Sequence, residues 1–97
     1  MQIVQSDDSL VKIAFTGKLD STYVSSIEVK FFALLNGIET PVELDFSEVS
    51  FISSLGIRMI LMAFKEIKRQ GFTLNIVNSN PDVENVFLMT GLEDLLN

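Results

Sequence analysis

The apolar residues of this chain recur first at every second position, then at every third or fourth, and the two spacings keep trading places from residue 10 to residue 90. Val11, Ile13 and Phe15 alternate with polar or small neighbours, which puts them on one side of a strand. Val24, Ile27, Phe31, Leu34 and Leu35 follow at helical spacing. The segment Pro41 to Phe46 returns to the shorter period, with Val42, Leu44 and Phe46 on one face. Ile57, Ile60, Leu61, Phe64 and Ile67 then form a helical stripe. Phe72, Leu74 and Ile76 make a further strand, and Val83, Val86, Phe87 and Thr90 face inward from a short last helix. Such a chain buries its stripes by laying helices on a sheet.

The residues between these runs act as punctuation. A weaker strand, Gln2 to Gln5, precedes the first across Ser6-Asp7-Asp8-Ser9, a polar turn that suits a hairpin. Gly17-Lys18-Leu19-Asp20 breaks the strand pattern, and Asp20, Ser21 and Thr22 can each cap the helix that follows. Asn36-Gly37 closes that helix, and Ser53-Ser54 opens the next. The second helix ends at Gln70-Gly71, with Lys65, Lys68 and Arg69 near the negative end of its dipole. Asn80-Pro81 reads as N-cap and first helical position, Gly91 ends the third helix, and Leu92 to Asn97 add a last turn. The expected order is β-β-α-β-α-β-α over residues 1–97, a single α/β domain. Two strand–helix–strand units imply parallel pairing, and the hairpin makes the sheet mixed, with about four strands.

Several chemistries are disfavoured by composition. The chain has no cysteine and no histidine, so it lacks disulfides, thiolate nucleophiles, the commonest general base and the commonest zinc ligand. Its glycines, Gly17, Gly37, Gly56, Gly71 and Gly91, stand alone, without P-loop or dinucleotide spacing. Asp7-Asp8 and Glu93-Asp94 read as solvated surface, because catalytic carboxylate pairs need burial to split their pKa values. No catalytic residue, cofactor or metal is expected. A net charge of −6 opposes nucleic-acid and anionic-membrane binding and favours a basic partner surface. The first residues do not resemble a signal peptide and no run is long enough to span a membrane, so a cytoplasmic protein is expected.

The informative stretch runs from Asp45 to Arg58, where a strand delivers Ser53 and Ser54 to the start of an amphipathic helix. The plain reading is an N-cap, in which one hydroxyl satisfies orphan N–H groups for about 1 kcal/mol. The functional reading uses the same geometry. A helix N-terminus tolerates an anion, so a serine there can accept a phosphoryl group and change surface charge without unfolding the domain.

The residues Leu44-Asp45-Phe46-Ser47 and Phe51-Ile52-Ser53-Ser54-Leu55-Gly56-Ile57-Arg58 resemble the signature of STAS domains, in particular bacterial anti-sigma factor antagonists. Gly17-Lys18-Leu19-Asp20 is similar to the family's loop before the first helix. Lys68 to Leu74 looks like its helix-to-strand passage, and Asn78, Pro81-Asp82-Val83 and Thr90-Gly91-Leu92 resemble its closing segment. Relatives usually continue beyond that point into another strand and helix. The resemblance implies an antagonist that binds an anti-sigma factor, itself a serine kinase of the histidine-kinase-like ATPase fold. Phosphorylation of a serine at the start of the second helix weakens the complex, and a PP2C-type phosphatase restores it. That serine falls on Ser54; Ser53 stands where the family often has Asp and becomes a rival acceptor. Leu55 stands where Ser or Ala is common.

The expected partner-binding surface comprises Asp20, Ser53, Ser54, Leu55, Gly56, Arg58, Met59 and Met62. Asp20 is read as a partner contact or a plain cap. Gly56 is expected to keep the surface beside Ser54 clear. Met59 and Met62 are read either as secondary core or as an adaptable apolar patch. Two further functions stand beside the antagonist: a STAS subunit of a membrane lipid-transport complex, acting as a non-phosphorylated binding module, and a small enzyme or nucleotide-binding domain. Composition argues against the last.

Overall fold

In the computed structural model, which describes residues 1–96, the alternating periods become a four-stranded sheet carrying three α-helices. The elements are β1 (Gln2–Ser6), β2 (Val11–Leu19), α1 (Ser21–Leu35), β3 (Val42–Ile52), α2 (Ser54–Arg69), β4 (Leu74–Val77) and α3 (Pro81–Met89), followed by a 3-10 turn at Glu93–Leu95. The strands lie in chain order. β1 runs antiparallel to β2, whereas β2, β3 and β4 are mutually parallel. The hairpin closes because the Asp7 carboxylate accepts from the backbone N–H groups of Ser9 (2.8 Å) and Leu10 (3.1 Å).

The core lies between one face of the sheet and the helices. Phe15 of β2 meets Phe31 of α1 edge-on at 5.5 Å and Phe46 of β3 at 5.9 Å, and Phe46 reaches Phe87 of α3 at 6.4 Å. Such pairs bring the aromatic quadrupoles into favourable contact in addition to burying area. α2 contributes Met59, Ile60, Ala63 and Ile67, all buried. The opposite sheet face stays open and polar, with Lys12 and Glu43 paired at 3.8 Å across β2 and β3.

β3 is longer than its alternation suggests, running on to Ile52. Its buried residues are Val42, Leu44 and Phe46, then Val49 and Ile52, so the spacing stretches from two to three. The pairing with β2 slips between Ala14 and Thr16 and again between Gly17 and Lys18, each time with an extra residue on β3. These are β-bulges, which bend a strand and leave a residue unpaired. Gly17, at φ +91°, takes a backbone conformation at the second slip that a side chain would strain.

Two smaller expectations change. Phe72 lies half-buried just before β4 rather than in it. Thr90 does not face inward: it is exposed, and its hydroxyl donates to the Val86 carbonyl (2.8 Å) as α3 ends. The expected final turn is the 3-10 turn, after which Leu96 forms a parallel bridge with Ile76. Asn97, assigned to that turn from the sequence, lies outside the described residues.

Candidate functional site

Because β2, β3 and β4 are parallel, their C-terminal ends share one edge of the sheet, and the three helices start there. Each helix has an N-cap whose side-chain oxygen takes a backbone N–H that the helix leaves unpaired. Asp20 accepts from Tyr23 N–H at 3.0 Å, Ser53 from Gly56 N–H at 3.2 Å and Asn80 from Val83 N–H at 2.8 Å. The caps are also tied to neighbouring strands. Leu19, the last residue of β2, offers its carbonyl to both the Ser53 N–H (2.9 Å) and the Ser53 hydroxyl (3.0 Å). Asn80 donates its amide to the Val49 carbonyl at 3.0 Å.

This network separates the two serines. Ser53 is half-buried, its hydroxyl donating to Leu19 and accepting from Gly56. Ser54 is the first helical residue and is exposed, and its hydroxyl has no hydrogen-bond partner among the described residues. Asp20 is half-buried and caps α1, immediately after the Leu19 carbonyl that holds Ser53. Leu55 (43% exposed) and Met62 (44% exposed) lie on the outer surface of α2, and Arg58 is exposed one turn beyond Ser54. Beyond them an open groove between α1 and α2 is lined by Phe32, Ala33, Asn36, Met62 and Glu66.

Two members of the expected partner surface belong elsewhere. Met59 is buried at 1% exposure, so it packs in the core and offers nothing to a partner. Gly56 is also buried, facing inward. A Cβ built on it would lie 2.8 Å from the Leu19 carbonyl oxygen and 2.8 Å from Cγ1 of Ile52. Its lack of a side chain lets α2 close onto the end of β2; it does not clear the outer surface.

Sequence reasoning missed Phe51, which is 47% exposed and opposite Lys18 in the β2–β3 pairing, beside the start of α2. The strand legible in the sequence ends at Phe46, which leaves Phe51 out of it, although alternation counted on from Val42 puts it on the outer face. The structural part of Asn80 was legible as a cap, but its tie to Val49 was not.

The site holds no constellation for acid–base chemistry. The shifted carboxylate Asp45 lies back along β3, where the Ser47 N–H holds its pKa below the ordinary value and Asn78 adds to the effect. Tyr23, beside the cap of α1, has its pKa raised by burial. Among the described residues no group of three or more His, Cys, Asp or Glu side chains could hold a metal ion. No helix among them is long and apolar enough to cross a membrane. The arrangement presents the free Ser54 hydroxyl, an apolar strip and several charges to whatever docks on it.

Comparison with known proteins agrees with this fold. BtrV of Bordetella bronchiseptica, described as a candidate anti-sigma factor antagonist, is 26% identical over 84 residues, covering 87% of this chain and 72% of that protein. The anti-sigma factor antagonist SpoIIAA in its unphosphorylated form superposes with a TM-score of 0.84 at 24% identity, covering 99% of this chain and 84% of that one. The phosphorylated form of SpoIIAA, a Bacillus cell fate determinant, gives 0.78 at 25% identity, covering 99% and 87%. The STAS domain of a SulP transporter from Vibrio cholerae gives 0.76 at 20% identity, covering 96% and 72%. The STAS domain model matches residues 1–97, and the chain belongs to the STAS domain family.

Proposed function

We propose that this chain is an anti-sigma factor antagonist, a non-enzymatic binding module that is switched off by phosphorylation of Ser54. The observation that carries the reading is the division of labour between the serines. Ser53 is held on both sides by backbone groups, whereas Ser54 is exposed with its hydroxyl free. A phosphoryl group on Ser53 would lose the donor to Leu19 and disrupt the cap. On Ser54 it would stand in solvent at a helix N-terminus, which favours negative charge. A relative of the same fold has been solved in both unphosphorylated and phosphorylated forms, consistent with a switch that leaves the fold in place.

The partner is an anti-sigma factor that is also a serine kinase, and a PP2C-type phosphatase resets the modified form. The fold is shared with a transporter's STAS domain, so the chemistry of the serine separates the antagonist from a transport subunit. A phosphate that must lose its water in the complex and meets no cation on the partner costs about 2–5 kcal/mol at an interface. That corresponds to a roughly 30- to 5,000-fold loss of affinity. The test is phosphate incorporation by the anti-sigma kinase, with partner affinity, for Ser53→Ala and Ser54→Ala. Loss of labelling in Ser54→Ala alone, with binding retained, supports the proposal. Loss in Ser53→Ala alone moves the switch one residue earlier. Labelling that survives both substitutions removes Ser53 and Ser54 as the switch, and absence of labelling in the unsubstituted chain favours the transport reading.

A further inference from the structure

The charge on this molecule is unevenly placed. α2 carries four of the chain's seven basic residues, Arg58, Lys65, Lys68 and Arg69, against one of its thirteen acids, Glu66. The four cations are exposed. Arg69 is paired with Glu66, and Lys68 stands 5.8 Å above the Phe64 ring. Arg58 and Lys65 make no ion pair among the described residues. By contrast, α3 and the turn after it carry Asp82, Glu84, Glu93 and Asp94 and no cation. Helical spacing puts Arg58, Lys65 and Arg69 along one outer ridge of α2, continuing from Ser54. Leu55 and Met62 run beside that ridge, and Val29 of α1, 82% exposed, stands on the outer surface across the groove.

We infer that the surface docking on α2 is an acidic patch of a folded protein, its apolar centre covering Leu55 and Met62 and its carboxylates meeting Arg58 and Lys65. The inference deepens the proposed function, because it specifies the partner surface around Ser54 and rests on α2 being the contact face. It reverses the expectation from net charge, which pointed to a basic partner. At contact range, local charges outweigh distant ones, since the screening length at physiological salt is about 8 Å. The same screening argument limits the occupant. A nucleic acid or an anionic membrane extends well past one helix, onto a chain whose other twelve acids lie outside α2. A finite protein patch need not. The regulation follows: a phosphoryl group on Ser54 lies one helical turn from Arg58, withdraws that cation and sets negative charge against the partner's carboxylates.

The test uses the unmodified, uniformly 15N-labelled chain and three probes: a helical peptide of Glu and Leu, its Lys and Leu counterpart, and vesicles of zwitterionic lipid containing phosphatidylserine. The Glu–Leu peptide is expected to shift the amide resonances of Ser54, Leu55, Arg58, Met62 and Lys65, with the effect weakening as salt is added. Arg58→Glu with Lys65→Glu should weaken this binding at least tenfold while leaving the rest of the spectrum in place. Asp82→Asn with Glu84→Gln, a control on α3, should leave it unchanged. The inference is overturned if the Lys–Leu peptide takes the α2 ridge, if the vesicles bind through it, or if no probe shifts these resonances. None of these results depends on kinase labelling, so failure here is distinct from failure of the phosphorylation reading.

Discussion

Replacing Gly56 with alanine sets two effects of known sign against each other. By helix propensity alone, alanine in place of glycine inside a helix stabilises by about 1 kcal/mol. The tertiary contacts oppose this. The new methyl group would lie 2.8 Å from the Leu19 carbonyl oxygen and 2.8 Å from Cγ1 of Ile52. Ile52 can turn its side chain, but the Leu19 carbonyl is backbone and already receives the Ser53 N–H and hydroxyl. Moving α2 away to relieve the contact stretches both bonds, each worth about 1 kcal/mol. Overpacking itself costs typically about 1–3 kcal/mol. The net expectation for Gly56→Ala is a loss of about 1–3 kcal/mol, a fall in Tm of roughly 4–8 °C per kcal/mol for a domain of this size. Urea denaturation of the two proteins, with the m-value compared to exclude a change in the unfolded state, measures the difference. An alanine variant as stable as the parent, or more stable, would show that α2 does not close against β2 as described, and the placement of Ser54 would fall with it.

Other outcomes follow from the same geometry. Ser53→Ala should destabilise by about 1–2 kcal/mol through the lost cap and interstrand tie, while Ser54→Ala should change stability by no more than about 0.5 kcal/mol; chemical denaturation of both separates a structural serine from a free one. Phe15→Ala removes a ring packed against Phe31 and Phe46 and should cost about 3–5 kcal/mol, read as a lower urea midpoint at an unchanged m-value. The Asp7 carboxyl is held down to about 2 by the Ser9 hydroxyl and N–H, and Gln5 and Leu10 add to this. A depressed folded pKa stabilises above the unfolded value and is lost as pH falls, so Asp7 should contribute to acid sensitivity between the ordinary 3.8 and about 2. Carbon-detected NMR titration should find that midpoint, and Asp7→Asn should remove its share of the pH dependence.

The order of elements and most of their ends were legible in local pattern. Period-two and helical runs depend only on which face of a strand or helix meets the core, and that is local information. The same holds for the caps: Ser53 and Asn80 were legible because hydroxyl and amide side chains suit free N–H groups, and Asp20 because carboxylates do. Ser54 drew attention as one of a pair, but its separation from Ser53 required the Leu19 carbonyl, which is thirty-four residues away in the chain. Gly56 was misread for the same reason, since the atoms it approaches belong to Leu19 and Ile52, on two other elements. Met59 lies off the apolar stripe read from the sequence and becomes interior only once α2 is packed in the fold. Phe51 was missed because the alternation read from the sequence stopped at Phe46, whereas β3 runs on to Ile52. Net charge was equally blind to place: the grouping of Arg58, Lys65, Lys68 and Arg69 on one helix was legible in the chain, but packing decides that this helix presents them together on an exposed ridge. Local pattern selects each element and its buried face; only packing decides which distant backbone atom a small residue touches and which charges stand together.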